Sequence, residues 1–329
     1  MSNGKMGNDK YMSNFWLKLD KPILALAPMA GYTDSAYRQI CKESKADVVY
    51  TGMISIDALY YDSKKTLEML KFNKKEKPVV LQLFGKRPEL ISKAVKYVEE
   101  FGYSGIDLNF GCPARKVVNH EGGISLLKNL ALCRELVQAL CEATKLPVSV
   151  KTRVSINNKN KKVTVFDFLD KIKDLPVNAL MLHGRTYEQG FSGEVDYEII
   201  KQVKKIFTGI VLGNGNLNSP EDVKKIIELT GVDGVGLARG TYGRPWLFAQ
   251  TKDFLSKGQY DFPDIEEIKK IVMHHAKYSF KDKGERGIME MRKFLCWYFR
   301  GFPGAKEWRS QFVQVKSLND IKEVLKTIF

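Results

Sequence analysis

Eight short apolar runs alternate along this chain with helical or linking segments, and that alternation limits the folds open to it. The runs cover residues 22–27, 46–50, 78–83, a stretch opening at Gly105, then 147–151, 179–183, 209–213 and 233–237. Between them, Thr33-Asp34 caps a predicted helix through Ala36 to Lys42, and further helices are expected over 88–101 and 125–144. This is the pattern of parallel βα units. Where the runs end is more informative than their number. Met29 and Ala30, Gln82, Asn109 and Cys112, Lys151 and Arg153, His183 and Arg185, Asn214 to Asn216, and Ala238 and Arg239 all fall at C-terminal ends. A closed barrel gathers those ends on the face where such barrels build active sites. The alternative, a doubly wound open sheet, usually shows a Gly-rich fingerprint after the first strand, and none is present.

The expected fold is therefore α/β, a (β/α)8 TIM barrel over residues 21–258 followed by a small C-terminal helical domain over 259–329. Residues 1–20 are polar and read as a frayed N-terminal segment. Phe262-Pro263 marks the change to a purely helical pattern, with Ile265, Ile268, Ile271 and Val272 at helix spacing and a last amphipathic helix over 318–329. Between Lys281 and Ser310, eight basic residues outnumber four acidic ones and interleave with Trp297, Tyr298, Phe299 and Trp308. Such a mixture can cradle a nucleic-acid backbone and stack on bases, or it can be a small bundle with an aromatic core and a charged rim.

Across 329 residues, 53 Lys and Arg against 38 Asp and Glu give a net charge of +15, an excess that favours a polyanionic partner. The five cysteines are odd in number and form no C-x-x-C pair, so neither a disulfide framework nor a metal site is expected. Reduced thiols, the lack of an apolar leader before Asp20, and the lack of any run near the ~20 residues of a membrane span point to a cytoplasmic protein with no membrane contact.

The chemistry-bearing stretch is Asn109-Phe110-Gly111-Cys112-Pro113, with Arg115 and Lys116 just beyond. Gly111 permits a sharp turn, Pro113 fixes the exit, and polar and cationic groups surround the sulfur. The same stretch is also compatible with a small buried hydrophobic cysteine. Gly213-Asn214-Gly215-Asn216 and Gly236-Leu237-Ala238-Arg239-Gly240 follow the seventh and eighth runs, where barrels commonly cradle a phosphate on backbone N–H groups. Lys151 would point into the barrel mouth and needs an anionic partner there, for which the reduced form of a flavin is one candidate. Gln82 could read the edge of a flat heterocycle, and His183 could contact cofactor or substrate.

In order along the chain, Ala27-Pro28-Met29-Ala30-Gly31-Tyr32-Thr33-Asp34, Gln82-Leu83-Phe84-Gly85, Asn109-Phe110-Gly111-Cys112-Pro113, Val150-Lys151-Thr152-Arg153, His183-Gly184-Arg185-Thr186, Gly213-Asn214-Gly215 and Gly243-Arg244-Pro245-Trp246 resemble the motifs of the tRNA-dihydrouridine synthases, most of all the bacterial B-type branch. The resemblance implies an FMN-binding TIM barrel with a helical tRNA-binding domain. It implies FMN contacts from Pro28, Met29, Ala30, Gln82, Lys151, Asn214, Gly215, Asn216, Ala238 and Arg239, with His183 a further candidate. Cys112 matches the catalytic proton donor, and Asn109, Lys116 and Arg153 are expected on the substrate side. Asn216 stands where the family commonly has Asp, Ala238 where it has Gly, and Ser155 where it has Gly. The stretch Asn157-Asn158-Lys159-Asn160-Lys161-Lys162 looks inserted.

Saturating the C5–C6 bond of uracil takes a hydride at C6 and a proton at C5, and a thiol with a reference pKa of about 8.5 is a suitable acid. The expectation is FMN-dependent reduction of a D-loop uridine in tRNA by a monomer using NADPH or NADH. A flavin barrel acting on a free pyrimidine, in the manner of dihydroorotate dehydrogenase, and a non-catalytic RNA-binding barrel are the two alternatives.

Overall fold

The structure, a computed structural model, describes residues 14–159 and 161–328. Eight parallel strands close into a barrel: β1 (Ile23–Leu26), β2 (Val48–Ser55), β3 (Val79–Phe84), β4 (Gly105–Phe110), β5 (Val148–Arg153), β8 (Val177–His183), β9 (Ile210–Asn214) and β10 (Gly234–Leu237). Two short strands, β6 (Ser155–Asn158) and β7 (Lys161–Thr164), form an antiparallel hairpin just past the end of β5. The stretch that looks inserted is thus a hairpin on the barrel rim, with Asn160 outside the described residues.

Closure occurs where β1 pairs with β10, in register Ile23 with Gly234 through Leu26 with Leu237. Only glycine fits at 234, because a Cβ there would lie 2.1 Å from the Ile23 carbonyl oxygen. Helices return each strand to the next, and polar residues start them. Asp34 accepts from the Tyr37 N–H at 3.0 Å, Thr164 and Asp167 form a capping box, and so do Ser219 and Asp222. The predicted helix over 125–144 divides into a 3-10 turn, Gly123–Lys128, and a helix, Leu130–Ala143, because the Asn129 side chain caps the second by accepting from Leu132 N–H.

Residues alternate across each strand, so one set faces the helices and the other fills the barrel. The filling is Ile23, Ala25, Ala27, Val48, Tyr50, Val80, Ala179, Met181, Ile210 and Leu212, and Trp16 joins it from below. Here the expectation of a frayed N-terminus needs correction. Residues 1–13 of that segment lie outside the described residues, but Phe15–Lys18 forms a 3-10 turn whose Trp16 is buried against the barrel floor. An indole that closes the open lower end of the barrel removes a large apolar area from water, which fixes the segment.

Beyond Gly258, helices Ile265–Lys283, Glu285–Tyr298, Ala305–Phe312 and Leu318–Lys326 form the tail. The tail docks on the loops after β1 and β10. Trp297 stacks on Tyr242 at 4.2 Å with the planes 3° apart, and Tyr32 packs against both. Lys283 reaches Asp34 at 2.5 Å, and the Tyr37 hydroxyl donates to the Thr241 carbonyl at 2.6 Å beside the His275 ring. No described helix is long and apolar enough to cross a membrane. Replacing Trp16 by Ala is expected to lower the unfolding free energy by about 3–5 kcal/mol, read from urea denaturation, because it opens a cavity in the barrel floor.

Candidate active site

The upper inward positions of the barrel are polar, and they surround a cavity of about 260 Å³ at the C-terminal ends of the strands. The register explains the grouping. Gln82 pairs with Asp107 and Asp107 with Ser149, giving one polar layer across β3, β4 and β5. Above it, Asn109 pairs with Lys151, and Arg153 pairs with His183, which pairs in turn with Asn214.

Cys112 follows β4 directly, and its loop is held from three sides. Asn109 turns its Oδ1 back to accept from the N–H groups of Gly111, at 3.1 Å, and Cys112, at 2.9 Å. The Nδ2 of Asn109 donates to Gln82 Oε1 at 2.9 Å, and Gln82 Nε2 donates to Asp107 Oδ2 at 2.7 Å. On the far side, Ile124 N–H donates to the Cys112 carbonyl at 3.2 Å. Arg153 straps the loop to the next one: Nε donates to the Gly111 carbonyl at 3.1 Å, and Nη1 to those of Thr186 at 3.0 Å and Gly190 at 2.8 Å. The amide of Asn109 and three donor contacts of Arg153 are thus spent on positioning the thiol and its surroundings. Burial pushes the half-buried Cys112 thiol up, and the Ala114 N–H, Lys151 and Arg153 oppose that shift only in part.

The floor and far wall carry positive charge without a carboxylate among the residues that line the cavity. Among the described residues the hydrogen-bond partner of Lys151 is Asn214 Oδ1, at 3.4 Å, while Asn214 Nδ2 donates to the Gly236 carbonyl at 2.5 Å. Burial and then the Arg153 charge bring the Lys151 ammonium down to about 8. His183 is brought down to about 2, first by burial and then by Lys151, Arg153, Arg185 and Arg239, so its ring is neutral at working pH. The Nε2 of His183 and the Nη1 of Arg185 are both buried and have no hydrogen-bond partner among the described residues. Arg239 lies 4.4 Å from the Phe191 ring centre. In the loop after β9, Gly215 has φ +128° and Asn216 φ +54°, and a Cβ on Gly215 would lie 2.9 Å from the His183 ring. Successive backbone N–H groups in a turn can face a common anion. Such a site can hold a flat anionic group and present an acid beside it.

Every site residue selected from the sequence lines this cavity except Lys116, which is exposed on the short helix Arg115–Val118. Tyr32, Met53, Arg185, Phe191 and Tyr242 also line it. Arg185 stands at a strand end, and its spacing of two from His183 is the signal for it. The others lie in loops or past a bulge, where periodicity gives no signal. The tail aromatics take the bundle reading: Tyr298, Phe299 and Trp308 are buried, with Phe299 stacked on Phe312, so they are not available to bases. Among the described residues no cluster of three His, Cys, Asp or Glu could hold a metal ion.

The thiol's environment has a direct chemical readout. Iodoacetamide is expected to label Cys112 in the ligand-free protein more slowly at neutral pH than a free cysteine, because burial disfavours the thiolate. Lys151→Met removes a cation that favours the thiolate and slows labelling further, and peptide mapping against pH checks both statements.

Comparison with known proteins accords with this geometry. The family described as dihydrouridine synthase matches residues 25–329. The tRNA-dihydrouridine synthase B of Pseudomonas aeruginosa is 35% identical over 294 residues, 88% of this chain and 87% of that one. A probable tRNA-dihydrouridine synthase of Rickettsia bellii is 34% identical over 320 residues, 96% of this chain and 94% of that one. Among solved structures, a histamine dehydrogenase from Rhizobium superposes with a TM-score of 0.57 at 13% identity, over 92% of this chain and 62% of that longer one. An old yellow enzyme homologue from Zymomonas mobilis superposes with a TM-score of 0.53 at 11% identity, over 74% of this chain and 91% of that one. At such identities the structural likeness concerns the fold alone. The family match and the curated relatives together show that this chain belongs to the dihydrouridine synthase family.

Proposed function

We propose that the protein reduces the C5–C6 bond of a specific uridine in the tRNA D-loop to 5,6-dihydrouridine, with FMN as cofactor, NADPH or NADH as reductant, and Cys112 as proton donor. The observation that carries this reading is the pairing of a half-buried thiol, pushed up by burial, with a cationic cavity that has no lining carboxylate. The residues present fit a flavin. Among the described residues, two buried groups, His183 Nε2 and Arg185 Nη1, lack hydrogen-bond partners, and no carboxylate bonds to Lys151. Pro28, Met29, Ala30 and Gln82 would line the flat ring system, and Lys151 would face its electron-rich edge. Asn214, Gly215, Asn216, Ala238 and Arg239 would hold its phosphate.

When bound, the flavin supplies the hydride that adds at C6 of the base. Cys112 gives its proton to C5. The thiolate left behind is stabilised by the charges of Lys151 and Arg153, and a proton from solvent restores the thiol at this partly exposed position. Asn109 keeps the sulfur in place throughout. Uridine in folded tRNA has to leave its stack to reach such a cavity, and the charge of +15 favours the docking that this demands. Residues 21–258 act as the catalytic barrel domain and 259–329 as the tRNA-binding domain. With Tyr298, Phe299 and Trp308 buried in its core, the tail offers exposed Lys281, Arg300, Lys306 and Arg309 to phosphates. On this reading the protein acts as a monomer in the cytoplasm.

Cys112→Ala is expected to keep its bound flavin and to lose about 10²–10⁴-fold in the rate of dihydrouridine formation, the usual contribution of a placed acid. A variant with the wild-type rate contradicts the acid assignment. The pH profile has a definite sign. Because the protonated thiol reacts and its pKa is raised, the rate holds through neutral pH and falls only as pH climbs beyond the ordinary thiol value. A rate that grows over that range would mean that the thiolate reacts instead.

A further inference from the structure

We infer that Asp107 is a positioning residue for the proton donor: as an acceptor it anchors the lower end of a hydrogen-bond chain through Gln82 and Asn109 that ends on the backbone N–H of Cys112. The inference rests on the reading of Cys112 as the acid.

Asp107 is fully buried in the middle of the barrel, one layer beneath the cavity, and does not line it. A carboxylate there is costly, and no cation lies within bonding distance of it among the described residues. Its two oxygens take only neutral donors, Ser149 Oγ at 2.7 Å and Gln82 Nε2 at 2.7 Å. Burial raises its pKa to about 6, against the pull of those two hydrogen bonds and of Lys151, so it is mostly ionised at neutral pH. An ionised carboxylate accepts and never donates.

That property matches, from below, the fixed donors that the Gly111 and Cys112 N–H groups present at the top of the chain. Gln82 has to offer its NH2 to Asp107, which leaves its oxygen facing Asn109. Asn109 then has to offer its NH2 to Gln82, which leaves its own oxygen to accept from Gly111 and Cys112. With Gln82 reversed, Asn109 would reverse too, and its NH2 would meet two backbone N–H groups, donor against donor. Side-chain amides have no intrinsic preference between the two orientations, so the backbone donors at one end and the Asp107 acceptor at the other hold both amides in one direction, and without Asp107 the Gln82 NH2 loses its buried partner. Placement matters because an error of about 1 Å in a reacting group can cost 10²-fold in rate.

Polarity separates the variants of Asp107. In Asp107→Asn the amide oxygen can still accept from Gln82 while its NH2 donates to the Ser149 hydroxyl, which also accepts, so the chain keeps its direction. In Asp107→Leu no acceptor remains. Purified, flavin-loaded Asp107→Leu is expected to show kcat on unmodified tRNA lowered about 10- to 100-fold with KM for tRNA unchanged. Asp107→Asn should stay within about threefold of wild type, since the polarity it preserves is what positions the acid. In a Cys112→Ala background, Asp107→Leu should cost nothing further, because both changes act through one group. In flavin-free protein, Cys112 of Asp107→Leu should react several-fold faster with iodoacetamide than that of wild type or Asp107→Asn. If the leucine variant does not fold, Asp107→Ala takes its place with the same expectations.

The inference is overturned if Asp107→Leu keeps the wild-type kcat, if its loss multiplies with that of Cys112→Ala, or if Asp107→Asn is impaired as badly as Asp107→Leu. A wild-type rate in Cys112→Ala would instead defeat the acid assignment. The labelling comparison would then still report whether Asp107 holds the Cys112 loop, with equal rates in all three proteins counting against it.

Discussion

The pairing of β1 with β10 turns a sheet into a barrel, and every functional contact in this protein depends on that closure. Once the sheet is closed, the alternation of side chains leaves no choice about which residues face inward. Lower inward positions are apolar and sealed by Trp16, while the upper ones bring residues from distant parts of the chain within bonding distance. Gln82, Asp107 and Ser149 meet because the register of three adjacent strands aligns them. The same register sets Lys151 beside Asn109 and Asn214 beside His183.

Burial decides the charge states in this site more than pairing does. The Lys151 ammonium and the His183 ring are both pushed toward neutrality, and the Cys112 thiol is pushed toward its protonated form. Each shift has desolvation as its largest cause. A ligand that brings negative charge would reverse the balance for Lys151 and satisfy Arg185, while leaving the thiol as an acid. The carboxylate that does exist nearby, Asp107, is kept one layer lower, where it orients amides without neutralising the cations of the cavity.

Much of this is legible in the sequence, for a physical reason. Strands of a barrel are short, apolar and bounded by polar ends, so their C-terminal residues can be named from the amino-acid pattern alone. That is why Cys112, Lys151, His183 and Asn214 are assigned to one mouth by sequence and meet there in space. Features that depend on distant packing are not legible. Trp16 sits in a polar segment that gives no sign of plugging a barrel, and Phe191 and Tyr242 come from loops without periodicity. The tail's mixture of basic and aromatic residues is compatible with either a bundle core or a stacking surface. Burial of Tyr298, Phe299 and Trp308 shows the core. Asp107 shares a strand face with Asn109, two residues on, yet nothing local marks it as the end of a hydrogen-bond chain.

The central claim is that this cavity makes dihydrouridine in tRNA. Mapping dihydrouridine at single-nucleotide resolution in tRNA from cells lacking the protein, beside the parent strain, addresses that most directly. Loss of one D-loop site, shared by several tRNAs and restored by the wild-type chain, is the predicted result. An unchanged map would contradict it.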